Sequence, residues 1–253
     1  MPKKVNMKKE TEYPDEILHI KNLEKTYHES WYKGRNKLNF PHPFRMLLLG
    51  GVNMGKTNIT KNVILRANPP FKKIYLLHVG GDYTLEYDDI QTETLEAIPK
   101  PDDDIFDPKV KKLFIIEDKE YKFMSKKELQ NLDRLFGYVS THRNTSIIST
   151  GQYFYNMPVP IRNMSNIFVI WRPLDLDSLN SIGRRIGLRK EEILSIMDRY
   201  FKKSRDSLWV DLTTNSPYKL RLNGFKVLQK KDSDKIKNVN KDYDIKELNE
   251  NKK

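Results

Sequence analysis

The chain has 253 residues, with 46 Lys+Arg against 34 Asp+Glu, a formal net charge of +12 and a pI near 9.5. It contains no cysteine, which excludes disulfide frameworks and thiolate metal sites, and no apolar run approaches the ~20 residues of a membrane helix. The five histidines, His19, His28, His42, His78 and His142, show no metal-ligand spacing, and the positive balance attracts polyanions, nucleic acid among them.

In chain order, residues 1–43 read as a charged, interrupted N-terminal extension. They are basic but lack the apolar stretch of a secretory signal, and the prolines flanking His42 favour an extended entry. "FRMLLLGG" (44–51) is a short apolar run ended by glycine, the pattern of a fully buried strand. "KTNITKNVILRA" (56–67) follows with Ile59, Val63 and Ile64 at helical spacing, and Asn68-Pro69 stops it. "KKIYLLHV" (72–79) predicts a second strand. The polar stretch from Tyr83 to Val110 reads as a surface loop. Its three consecutive aspartates, Asp102 to Asp104, cannot all converge on one ion, so a metal site is the weaker reading.

"KKLFIIEDKE" (111–120) predicts a third strand ending in carboxylates. A Ser-capped helix is expected over 125–144, a fourth strand over 145–152 and a fifth over 166–173. Two helical patterns cover 176–188 and 189–201, and 207–213 with 217–225 look like a terminal hairpin. From 226 to 253 the chain has mixed charge and few large apolar residues, the composition of a mobile tail. Strands alternating with helices imply an α/β domain over 44–225, with 176–225 as a helical and hairpin extension and a mostly parallel central sheet flanked by helices. Ligands of such sheets bind beyond the carboxyl ends of the strands, where Gly50, Glu117, Asp118 and Gln152 all fall.

Gly50-Gly51-Val52-Asn53-Met54-Gly55-Lys56-Thr57 fits G-x-x-x-x-G-K-[ST] throughout. Backbone N–H groups of such a loop form an anion nest, and the helix starting near Lys56 adds its positive end. Lys56 supplies charge to β- and γ-phosphates, and Thr57 offers a hydroxyl to Mg²⁺. The nucleotide-contacting set is therefore Gly50, Gly51, Val52, Asn53, Met54, Gly55, Lys56, Thr57 and Asn58. Some sixty residues on, Leu113 to Ile116 bury a strand that holds Glu117 and Asp118 at its end. Either Glu117 takes the metal side and Asp118 acts as base, or the register is shifted by one. Gln152 ends the next strand, where an amide orients water or reports the γ-phosphate; a buried amide bonded to a loop is the competing reading. Arg143 and Arg162 flank that strand and are candidates for an arginine that reaches a neighbouring subunit's phosphate. Arg184, Arg185 and Arg189 crowd one helical region and read as a solvated face or a contact for nucleic acid or a neighbouring subunit.

The order "FPHPFRMLLLGGVNMGKT", "KLFIIED", "STHRNTSIISTGQYFYNMPVPIRNMSNIFVIWRP" resembles the viral genome-packaging ATPases of the poxvirus type, in the FtsK–HerA division of P-loop NTPases found also in giant viruses and virophages. Ser146 to Gln152, Tyr153, Tyr155, Pro158, Pro160, Ile161 and Arg162 match the third block in order, and the resemblance covers about residues 40–175. It implies ATP and Mg²⁺ at Lys56, Thr57, Glu117 and Asp118, with Gln152 as sensor, Arg143 as the first candidate for a finger in trans and Arg162 as the second. It further implies a pentameric or hexameric ring that pushes double-stranded DNA into a preformed capsid, with capsid vertex proteins as partners and no membrane. The place of work would be assembly sites in the host cytoplasm. Two departures stand out: the loop lacks the usual Ser-Gly before its lysine, and Glu-Asp replaces Asp-Asp or Asp-Glu, which bears on the hydrolysis rate.

Three other activities compete with this reading. A GTPase would need N-K-x-D; "NKDY" at 240–243 fails it. A P-loop kinase of small molecules or nucleosides needs a lid and an acceptor pocket, and a non-hydrolysing, DNA-binding structural component would keep the site only for assembly.

Overall fold

The computed structural model describes residues 40–78, 87, 89–117, 119–172, 175–214 and 219–228. In order, its elements are β1 (Arg45–Leu49), α1 (Lys56–Leu65), β2 (Lys73–His78), β3 (Glu93–Leu95), β4 (Lys112–Glu117), α2 (Lys126–Arg134), α3 (Ser140–His142) and β5 (Thr145–Gly151). There follow α4 (Val159–Met164), β6 (Ile167–Ile170), α5 (Leu176–Ile186), α6 (Lys190–Tyr200), β7 (Leu208–Asp211), β8 (Leu220–Leu222) and β9 (Lys226–Val227). Among the described residues the strands form one sheet in the order β3-β2-β4-β5-β1-β6-β7-β8-β9. The first six in that order are parallel and the remaining pairings antiparallel. The expected mostly parallel α/β sheet is the observed one.

The central strands read as unbroken apolar runs because both faces are covered. On one face Met46, Leu48, Leu76, Ile115, Ile148 and Val169 pack with Val63 and Ile64 of α1 and with Trp171 and Trp209. On the other, Leu47, Leu49, Leu77, Ile116, Ile147 and Ile170 meet Leu132, Phe136, Ile161, Leu179, Ile182 and Ile193. Each such side chain removed from water contributes about 1.5–3 kcal/mol. No helix among the described residues is long and apolar enough to cross a membrane.

Several expectations need correction. The 83–110 stretch is not all loop: Glu93–Leu95 adds a parallel edge strand to β2, and Ile98 and Phe106 are buried. Residues 83–86 and 88 lie outside the described residues. Asp103 caps a short turn by accepting from the Ile105 N–H at 3.1 Å, and no His/Cys/Asp/Glu group fit for a metal occurs among the described residues. The helix expected over 125–144 starts as read, with a reciprocal Ser125–Glu128 capping box, but it widens into a π turn over Leu135–Val139. Arg45 reaches that turn and donates to the Phe136 carbonyl at 3.2 Å and to the Met164 carbonyl at 2.6 Å.

The domain limits also move outward. Phe40 is buried and stacks on Trp209 with ring centroids 5.8 Å apart, so residues 40–43 belong to the packed unit. At the other end, β9 pairs with β8 past the expected limit at 225, and Leu228 is buried. Asn223 and Gly224 both adopt positive φ, which lets the chain reverse there. Residues 1–39 and 229–253 lie outside the described residues.

His42 anchors the entry. Ser146 Oγ accepts from the Phe44 N–H at 3.1 Å and presents its proton to His42 Nδ1 at 2.7 Å, while His42 Nε2–H donates to Asn144 Oδ1 at 2.5 Å. Burial, then the nearby Lys111 charge, lower its pKa from 6.5 to about 3. Between those values the unfolded chain binds a proton that the fold refuses, so stability falls as pH drops through this window. The loss is on the order of 2 kcal/mol by pH 5. In His42→Gln the shift of the urea midpoint between pH 7 and pH 5 should shrink; an unchanged shift removes His42 as its source.

Candidate functional site

The apolar run of β1 ends at Leu49, and the chain enters the glycine loop at the carboxyl edge of the sheet. The Gly50 N–H donates to the Gly151 carbonyl at 3.1 Å, and the Trp171 N–H donates to the Leu49 carbonyl at 3.1 Å. The loop is thus tied to the strand on either side. Its glycines do different work. Gly55 adopts φ 95°, beside Asn53 at φ 61°, which bends the backbone into the start of α1. Gly50 has room only for hydrogen: a Cβ there would lie 2.8 Å from Cε3 of the buried Trp171 ring, whereas a Cβ on Gly51 would meet nothing within 4 Å.

Val52, Asn53 and Asn58 are exposed, while Gly51, Met54 and Gly55 are half-buried. Val52 presents no polar side-chain atom, so only its backbone can serve a phosphate. The first turn of α1 holds no acidic side chain, and its cap residue Gly55 supplies no side-chain hydrogen bond. An anion is therefore the natural partner for its N–H groups. Lys56 is buried, and its Nζ donates to the Gly50 carbonyl at 3.0 Å and the Gly51 carbonyl at 2.9 Å.

Thr57 Oγ1 donates to Glu117 Oε1 at 2.9 Å. That bond joins the first turn of α1 to the buried end of β4, across 60 residues of sequence. The hydroxyl and the carboxylate are both hard oxygen donors of the kind a divalent cation takes. Asp118 lies outside the described residues. β5 runs between β4 and β1, with Leu49 in register with Gly151 and Ile116 with Ser149. Gln152 therefore leaves the sheet between the glycine loop and the acidic strand, and its side chain is exposed rather than a buried amide.

The arginines separate. Arg143 precedes β5, at the opposite edge of the sheet from Gln152. Seven strand residues intervene, about 23 Å of chain. It lies over the Tyr138 ring at 5.9 Å, and its buried Nε has no hydrogen-bond partner among the described residues. It cannot serve the phosphate loop of its own chain. Arg162 stands near Gln152 but is engaged within its own chain: its Nε donates to the Met157 carbonyl at 2.9 Å, and the guanidinium lies 5.6 Å from the centroids of both Phe154 and Tyr155. Neither position excludes a role in trans, so Arg143 and Arg162 both stay candidates for the finger. Arg184 and Arg189 are exposed, but Arg185 turns in to the Asn163 and Ser165 carbonyls at 2.6 and 3.2 Å, so the three do not form one face.

Two supports escaped the sequence reading. Trp171, just after β6, is the floor beneath Gly50, with Nε1 donating to the Arg205 carbonyl at 3.1 Å. Tyr121 reaches from the segment after β4 to Ser149 Oγ of β5 at 2.9 Å. The "WRP" that closes the apolar run was the available signal for the first; nothing in the spacing announces the second.

No family model matches the sequence, and no curated protein matches it. Among solved structures, the chain is similar to the genome packaging NTPase B204 from Sulfolobus turreted icosahedral virus 2 in complex with AMPPCP. The two share 15% identity over 74% of this chain and 98% of that one, with a TM-score of 0.50. Thermomonospora curvata EccC (ATPases 2 and 3) is similar at 13% identity over 74% of this chain and 37% of that one, with a TM-score of 0.44. At such identity the likeness is one of fold: the chain has the architecture of a P-loop NTPase.

The Trp171 contact separates the two leading glycines. Gly50→Ala should weaken binding of a fluorescent ATP analogue about tenfold, because a rigid ring blocks the Cβ, whereas Gly51→Ala should stay within about twofold. Equal losses in the two variants would show that Trp171 does not set the loop.

Proposed function

We propose that this chain is an ATP-driven motor that moves double-stranded DNA into a preformed viral capsid, working as a ring of identical subunits. The single observation that carries the reading is the Thr57–Glu117 hydrogen bond. It couples the phosphate loop to an acid-ended strand, with β5 and Gln152 interposed. Such a site suits hydrolysis, because it can hold a triphosphate and present acid and amide groups on its far side. The shared fold with a genome packaging NTPase and the +12 charge favour a DNA motor over other P-loop activities.

ATP would be held by the backbone of residues 50–55 and by Lys56, and Mg²⁺ by Thr57 and Glu117. Bound metal supplies charge neutralisation at the phosphates. Lys56, once released from the Gly50 and Gly51 carbonyls, has an ammonium free to turn toward the loop's anion. Asp118, next along from Glu117, is assigned the base, and Gln152 orients the attacking water. Arg143, too distant to act within its own chain, would complete a neighbour's site, so the ring and the catalysis are one requirement. Capsid vertex proteins are the docking partners, and assembly sites in the host cytoplasm the place of work.

ATP turnover by the purified protein should rise several-fold on adding double-stranded DNA, and Lys56→Ala should lower it at least about a hundredfold. Phosphorylation of a small acceptor, or DNA-stimulated turnover retained in Lys56→Ala, ends the motor reading. Arg143→Ala subunits mixed with Lys56→Ala subunits should recover part of the turnover that each lacks alone. No recovery at any ratio removes the trans role.

A further inference from the structure

The segments that follow β4 and β5 leave the sheet on the same edge as the glycine loop, and a groove of about 1000 Å³ lies between them. Its walls carry Lys119, Lys122, Tyr153, Tyr155, Asn156 and Arg162, and Gln152 sits within it. The surface does not resemble a closed ligand pocket. Tyr153 is 58% exposed and Tyr155 51% exposed, and neighbouring Phe123 is 74% exposed. Lys122 is exposed and rests over the Phe123 ring at 4.6 Å. Glu120 also lines the groove and lies 3.8 Å from Lys122, leaving three cationic side chains against one carboxylate among those described.

Exposed rings beside cations, in an open and net basic channel, call for an anionic partner with apolar edges. A sugar–phosphate backbone has that character: lysines take phosphate oxygens, amide and phenol groups add hydrogen bonds, and ring faces lie against deoxyribose. None of these contacts reads a base.

We propose that this groove seats the backbone of double-stranded DNA. The inference rests on the motor reading and names the surface through which the motor would hold its cargo. The groove is also placed to couple with the nucleotide site. Tyr153 follows Gln152 directly, Lys119 lies two residues beyond Glu117, and Tyr121 bonds the segment after β4 to Ser149 of β5, three residues before Gln152. A strand in the groove therefore presses on both segments that carry the acid and amide groups.

The test is fluorescence anisotropy of a short mixed-sequence duplex across a salt series, using the full chain. Lys119→Ala with Lys122→Ala, and separately Tyr153→Ala, are compared with a control pair, Lys72→Ala with Lys109→Ala. The control lysines are exposed just before β2 and β4, at the opposite edge of the sheet. Melting temperature and ATP-analogue binding verify that each variant is folded.

The groove pair should bind DNA about tenfold more weakly and lower the slope of log affinity against log salt by about two, the phosphate contacts removed. Tyr153→Ala should weaken binding with the slope kept, and the control pair should change neither. Equal losses in both lysine pairs would mean a diffuse positive field and overturn the groove, as would unchanged affinity in the groove variants or no duplex binding by the parent chain. Altered particle mass with unaltered DNA affinity would assign the groove to a second copy of the chain and likewise overturn it. ATP turnover measured alongside reports separately: its absence in the parent chain sinks the motor, whereas groove variants that fail to lose DNA leave the ATPase reading standing.

Discussion

A sheet buried on both faces can offer chemistry only at its strand ends, and here the Thr57–Glu117 hydrogen bond gathers those ends into one place. It requires β4 to lie one strand away from β1, which it does because β5 is interposed. It requires an acid as the last residue of β4, buried enough to be held and close enough to accept from a threonine in the first turn of α1. The apolar runs of β1, β4 and β5, packed above and below, are what keep that spacing from drifting. A slip of one residue in β4 would turn Glu117 to the opposite face of the sheet, away from α1.

Much of this was legible because the signals are local and redundant. Residues 45–49, 112–117 and 145–151 are short apolar runs with polar or glycine ends, so strand and strand end are read together. The G-x-x-x-x-G-K-[ST] pattern places the helix start to the residue, since Lys56 begins α1. Ser125 and Glu128 announce the start of α2 with the same certainty.

What escaped depends on contacts distant in sequence. The edge strand Glu93–Leu95 has no periodicity of its own; it exists because β2 offers an unpaired edge. At the π turn over Leu135–Val139, Arg45, some ninety residues away, donates to the carbonyl of Phe136, a contact that no local pattern announces. Arg162 and Arg185 look like surface charges in a sequence, yet each is turned in to backbone carbonyls of its own chain. Asn223-Gly224 was a missed local signal: an Asn-Gly pair after an apolar strand predicts a reversal, and β9 follows it.

The segment after β5 carries one more consequence. Tyr155, three residues beyond Gln152, is moored at its hydroxyl to Ser181 Oγ of α5 at 2.6 Å, and Arg162 braces the same run from the side. Gln152 is therefore the short arm of a lever whose fulcrum is the Gly151 carbonyl, itself fastened to Gly50. The tyrosine mooring thus links the end of β5 to α5 and, through it, to the α6 helix packed alongside.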